Sequence, residues 1–155
     1  MPQEGTAHPM DVRMSTQFRR ERAAVPSARA FVRRALSGTG VPCGLLDPLV
    51  LAVAEACNNA ILHAGGEAFG VTITIEGGHC IIVVSDTGEG FVPPLLAEMP
   101  APDAPGHRGL ALMQALVDRV EVQSSEAGTT VVLAHSLGPA LPSLSTNGGG
   151  IRASR

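Results

Sequence analysis

Leu45 to Gly66 reads LLDPLVLAVAEACNNAILHAGG, and this stretch limits the possible folds more than any other. Its apolar residues recur at helical rather than alternating spacing. At about 100° per residue, Leu46, Val50, Val53, Cys57, Ala60 and Ile61 gather on one face. Pro48 is expected in the first turn, where a missing N–H costs little, and Gly65-Gly66 closes the helix. Glu55, Asn59 and His63 follow one another at intervals of four, which sets them on roughly the opposite face. Leu51 and Leu62 flank them, so the pattern predicts a helix covered on both sides. A carboxylate under cover needs a reason, because burying an unpaired charge is costly. Two reasons stay open here. One is a surface Glu hydrogen-bonded to Asn one turn on. The other is an Asn oxygen serving as a hard ligand for Mg²⁺ beside a carboxylate that accepts a proton. His63 reads equally well as a packed or helix-end histidine.

A chain of 155 residues makes one domain with a core of its own. The net charge of −3 gives no general pull toward nucleic acid or anionic lipid. No apolar run is expected to reach the roughly 20 residues of a membrane span, and no charged-then-apolar leader opens the chain. The expectation is a cytoplasmic protein without direct nucleic-acid or membrane contact. Cys43, Cys57 and Cys80 are odd in number and widely spaced, which suits small buried hydrophobes better than a zinc site or disulfides. Lysine is absent altogether. That excludes a Walker A loop, the ordinary protein-kinase lysine and Schiff-base chemistry.

Along the chain, residues 1–12 form a loose tail, and Met14 to Arg20 suits an edge strand. A helix from Pro26-Ser27 to about Leu36 carries Ala28, Phe31, Val32 and Ala35 on its apolar side, with Ser27 as its cap. Arg13, Arg19, Arg20, Arg22, Arg29, Arg33 and Arg34 make this first quarter basic, as a solvated face or a docking surface for an acidic partner. Val71 to Ile75 alternates with period two, Gly77-Gly78 turns the chain, and Cys80 to Val84 returns as an apolar strand. Residues 92–108 hold five prolines and form a long loop or lid, with one helical turn near Leu95 to Glu98. Gly109 to Val117 is helical, with Leu110, Met113, Leu116 and Val117 as its core stripe. Val120 to Gln123 and Thr129 to Ala134 are strands. Residues 136–155 are Gly-, Pro- and Ser-rich and read as a disordered tail.

Two further stretches bear on chemistry. In Asp86-Thr87-Gly88-Glu89-Gly90-Phe91, a strand-end carboxylate precedes two spaced glycines that let backbone approach a flat ligand. The same residues could also form a turn with an exposed Asp. Gly106-His107-Arg108-Gly109-Leu110 leads into a helix N-terminus, whose free N–H groups and dipole favour phosphate.

In this order the three stretches resemble the GHKL superfamily of ATP-binding domains, found in type II topoisomerases, heat-shock chaperones, mismatch-repair proteins and histidine kinases. Glu55…Asn59…His63 resembles its N box, Asp86-x-Gly88-x-Gly90 its first glycine box, and Gly106 to Leu110 its second. Gly128-Thr129-Thr130-Val131 resembles its last strand motif. EACNNAILHA, LMQALVDRVEV and GTTVV are most similar to the anti-sigma factor serine kinases, over roughly Ser15 to Ala134. The resemblance implies an α+β two-layer sandwich of the Bergerat type: a mixed, largely antiparallel sheet with helices on one face, spanning residues 13–135. It implies ATP and Mg²⁺ as cofactors. Asn59 would bind the metal, Glu55 would be the base, and Asp86 would accept from adenine with Thr129 in support. Gly88 and Gly90 would admit base and sugar, while Gly106, Arg108, Gly109 and Leu110 would approach the phosphates.

The family usually has glycine two residues before Gly109, where this chain has His107. That departure bears on phosphate handling more than on adenine binding. The resemblance implies a kinase for a serine on an anti-sigma factor antagonist, which also sequesters a sigma factor and forms a homodimer through about Met14 to Leu36. The alternative is an ATP-binding partner-switching module with little or no kinase activity.

Overall fold

The structure is a computed structural model describing residues 11–63, 66–86, 108–125 and 128–138. In chain order the elements are β1 (Val12–Arg19), α1 (Ala24–Ser37), α2 (Cys43–His63), β2 (Ala68–Glu76), β3 (His79–Asp86), α3 (Arg108–Leu116), β4 (Arg119–Ser125) and β5 (Gly128–Ser136). The strands form one five-stranded sheet in the order β1-β2-β3-β5-β4, and each neighbouring pair is antiparallel. This is the expected two-layer α+β arrangement. The expected lid, the helical turn near Leu95 to Glu98, and most of both tails lie outside the described residues.

Period-two sequence becomes a two-faced sheet. On β2, Phe69, Val71, Ile73 and Ile75 are buried, while Gly70, Thr72 and Thr74 on the other face are half-buried. Cys80, Ile82 and Val84 of β3 and Val131 and Leu133 of β5 continue the buried face under the helices. Each large apolar side chain on that face contributes about 1.5–3 kcal/mol of burial. The β2–β3 hairpin has a two-residue loop, Gly77-Gly78, between the paired Glu76 and His79. Both glycines have positive φ (57° and 78°), the geometry that twists with the flanking strands and that side-chain-bearing residues resist. Beyond β5, Leu137 is buried and its N–H donates to Gly78 O at 2.9 Å, so packing continues past the expected boundary at residue 135.

Two helix starts differ from expectation. α1 begins at Ala24 and its first position follows Ala23, with no side-chain cap; Ser27 lies inside the helix. The turn before it supplies the acceptors instead, since Ala24 N–H donates to Glu21 O and Val25 N–H to Arg22 O. Pro26 then occupies the first turn, where its lack of an N–H is harmless. α2 begins at Cys43, which places Pro48 in the second turn at the loss of one backbone bond.

By length and composition Cys43–Leu62 does meet the requirement for a membrane span, contrary to expectation. In the fold it is the central core helix: Leu49, Val50, Ala52, Val53, Ala56 and Cys57 are essentially inaccessible. Its alanines let α1 and α3 pack closely on either side. The outer row departs from the pattern too. Leu51 is 40% exposed and Leu62 63%, so the two leucines do not cover the Glu55–Asn59 face.

Candidate functional site

Chain topology brings the described candidate residues together in two groups. After β3 the chain returns as α3, crosses to the far sheet edge as β4, and turns back as β5 between β4 and β3. The start of β5 thereby lies beside the end of β3, with Ser85 opposite Thr130. Asp86 and Thr129, 43 positions apart, meet: Thr129 N–H donates to Asp86 Oδ1 at 3.4 Å. Both occupy the helix-covered phase of their strands and are polar members of an otherwise apolar surface, at 8% and 3% exposure. A buried carboxylate at the end of an apolar stripe can accept hydrogen bonds from a ligand that reaches it.

The end of α2 reaches the same end of the sheet. Only four residues separate His63 from Ala68 at the start of β2, and the next residue, Phe69, lies opposite Asp86. Arg20 fastens this junction: its guanidinium donates to Ile61 O at 3.3 Å, and its backbone N–H donates to Glu67 O at 2.9 Å. A cation on the last carbonyls of a helix also complements the helix dipole.

Glu55 and Asn59, both half-buried, face the N-terminus of α3. A Cβ built on Gly109 would lie 3.1 Å from Glu55 Oε2, 3.4 Å from Asn59 Oδ1 and 3.5 Å from Asn59 Nδ2. The helix N-terminus therefore abuts the carboxylate and amide so closely that a side chain would crowd them. The sequence reading placed Gly109 toward phosphate; in the structure a side chain at this position would also crowd Glu55 and Asn59. Leu110 is buried, and its side chain anchors this helix start in the core.

Gly88, Gly90, Gly106 and His107 lie outside the described residues, as do the side chains of His63 and Arg108. The sequence reading missed Ser124, whose Oγ lies 3.3 Å from Thr129 Oγ1. Its signal was present: Ser124 is in phase with Val120 and Val122 on β4, a polar residue in a half-buried position. The thiols play no part in this cluster. Burial pushes both Cys57 and Cys80 up from 9.0 to about 12.

The two groups fit a nucleotide with a divalent ion, the ligands the resemblance implies. Asp86 with Thr129 offers a buried acceptor, and the pair Glu55–Asn59 beside Gly109 offers a proton acceptor and a hard oxygen at a helix N-terminus.

The Histidine kinase-like ATPase domain family model matches residues 18–135. A serine-protein kinase, RsbW, of Bacillus velezensis is 31% identical over 127 residues, covering 71% of this chain and 79% of that protein. RsbW of Bacillus pumilus is 33% identical over 130 residues with the same coverage. Among solved structures, the RsbU and RsbW domains of Rv1364c from Mycobacterium tuberculosis share the fold (TM-score 0.62, 23% identity). That alignment covers 83% of this chain and 34% of the other, so this chain spans about a third of it. The histidine kinase AdeS of Acinetobacter baumannii also shares the fold, with a TM-score of 0.54, 14% identity and coverage of 81% and 68%. The chain belongs to the histidine kinase-like ATPase domain family, beside the RsbW serine-protein kinases.

Proposed function

We propose that the chain is a cytoplasmic, ATP-dependent protein serine kinase that phosphorylates an anti-sigma factor antagonist and sequesters a sigma factor. The observation that carries this reading is the meeting of Glu55 and Asn59 with the N-terminus of α3 at Gly109. Similarity to the RsbW serine-protein kinases supports it.

In this reading ATP with Mg²⁺ supplies the phosphoryl group. Asp86 accepts from the adenine amino group and Thr129 fixes the carboxylate through its N–H. Asn59 would hold a divalent ion through its amide oxygen, a hard ligand suited to Mg²⁺, which would draw charge from the phosphates. Glu55 takes the proton of the incoming serine hydroxyl. Two copies pair through about Met14 to Leu36, where the open edge of β1 leaves unpaired backbone groups available.

The test has two arms. Calorimetry with ATP and Mg²⁺ should show binding that Asn59→Ala and Asp86→Asn each weaken by about 2 kcal/mol, roughly thirtyfold in Kd. Wild-type affinity in both variants would remove the site. Separately, partner proteins co-purified from the native cell and incubated with γ-labelled ATP and Mg²⁺ should acquire label on serine. Binding of ATP with no transfer to any partner would return the chain to the binding-module reading.

A further inference from the structure

Cross-strand pairs of hydroxyls occur on both faces of the sheet. Ser15 and Thr72 stand opposite one another on β1 and β2, on the face away from the helices, with their oxygens 3.0 Å apart and exposed. Ser124 and Thr129 stand opposite one another on β4 and β5, on the face beneath the helices, with their oxygens 3.3 Å apart. In each pair one hydroxyl proton is used within the pair and the other is left over. On the outer face water takes it. Thr129 is only 3% exposed, so there the direction of the hydrogen bond has a consequence.

Thr129 links the inner pair to the candidate site. Its backbone N–H is already given to Asp86 Oδ1 at 3.4 Å, so the hydroxyl is the group whose direction is still to be set. If Thr129 donated to Ser124, its lone pairs would turn toward the carboxylate, and acceptor would stand beside acceptor. If Ser124 donates to Thr129 Oγ1, the Thr129 proton turns that way instead, and donor stands beside acceptor. The negative charge on Asp86 favours the second arrangement.

We propose that Ser124 is a positioning residue: it fixes the Thr129 hydroxyl as a hydrogen-bond donor and thereby makes the site select adenine over guanine. The proposal rests on the nucleotide reading of Asp86 given above. Adenine carries an amino donor next to a ring nitrogen that only accepts, so a carboxylate flanked by a donor matches it at both atoms. Guanine in the same seat would turn its carbonyl toward the carboxylate and its ring N–H toward the hydroxyl proton. Like would meet like twice, and buried polar groups left unpaired are costly. Ser124 itself reaches neither base atom in this account; it acts through Thr129.

The test is calorimetry on the full chain with Mg²⁺ and three ligands: ATP, GTP, and 1-deaza-ATP, in which C–H replaces the accepting ring nitrogen. Wild type should bind ATP at least about tenfold tighter than either of the others. Ser124→Ala lets the Thr129 hydroxyl turn freely. It should lose about three- to tenfold in ATP affinity while holding 1-deaza-ATP within about twofold. Ser124→Thr, which restores a hydroxyl, should regain most of the preference for ATP. Thr72→Val removes the corresponding pair on the outer face and should leave all three affinities unchanged. Without nucleotide, Ser124→Ala should melt within about 5 °C of wild type, since a cross-strand hydroxyl pair contributes little to stability. Equal weakening of ATP and 1-deaza-ATP in Ser124→Ala would reduce the residue to packing and overturn the proposal. So would unchanged or tighter ATP binding, a far lower melting temperature, or a wild type that takes GTP or 1-deaza-ATP as well as ATP. An ATP preference that depends on Ser124, without phosphoryl transfer to any partner, would remove the kinase reading and leave this role standing. Transfer that survives with no effect of Ser124 on base preference would do the reverse.

Discussion

A methyl group at Gly109 would sit 3.1 Å from Glu55 Oε2, closer than carbon ordinarily approaches a carboxylate oxygen without displacement. The obstacle is the end of a flexible side chain rather than backbone, so Gly109→Ala should fold and instead move Glu55. Alanine also favours a helix over glycine by about 0.5–1 kcal/mol. We expect Gly109→Ala to match or exceed the wild-type melting temperature while losing at least about tenfold in phosphoryl transfer, since a displaced base loses part of a contribution of about 10²–10⁴. Wild-type transfer, or a collapsed melting temperature, would show that the glycine serves something other than the spacing of Glu55. This contact was not legible in the sequence. Fifty-four positions separate Glu55 from Gly109, and only the packing of α3 on α2 brings them together.

At the scale of elements, the strongest periodicities were legible. Val50, Val53, Cys57 and Ala60 are buried as the spacing of α2 required, and the alternation of β2 predicts its buried face residue by residue. Helix starts were less legible, because the acceptors for α1 come from the backbone of Glu21 and Arg22, which no side-chain pattern reports. The pairing of Asp86 with Thr129 was expected through family resemblance; spacing alone could not show that β5 inserts beside β3. The buried thiols of α2 and β3 give a test of these elements as packed units. With their pKa raised to about 12, Cys57 and Cys80 stay protonated in the fold while an unfolded chain ionises them near 9.0. Their contribution is full below pH 9 and falls as pH rises toward 12. Urea midpoints should therefore drop between pH 8 and 10 in the wild type, and drop less in Cys57→Ala/Cys80→Ala. Native protein should alkylate at exposed Cys43 alone, and at all three cysteines in urea. Rapid native labelling of Cys57 would contradict the packing of α2.

The whole molecule joins a rigid sheet, a core helix carrying Glu55 and Asn59, and a basic first quarter that accounts for seven of its eleven arginines. Pairing through β1 predicts a dimer mass by light scattering at high micromolar concentration, reduced to monomer by a proline at Gln17, whose loss of an N–H weakens an open strand edge. A monomer at that concentration in the wild type would remove the dimer.

The proposed kinase activity depends most on Glu55 as the proton acceptor, and Glu55→Gln isolates that role. Glutamine keeps the size and hydrogen-bonding reach of the side chain but cannot accept the serine proton at neutral pH. Single-turnover transfer from γ-labelled ATP to the co-purified partner, measured beside ATP affinity on the same preparations, tests it most directly. The predicted result is near-wild-type affinity with transfer slowed about 10²–10⁴-fold; equal transfer rates in wild type and Glu55→Gln would contradict it.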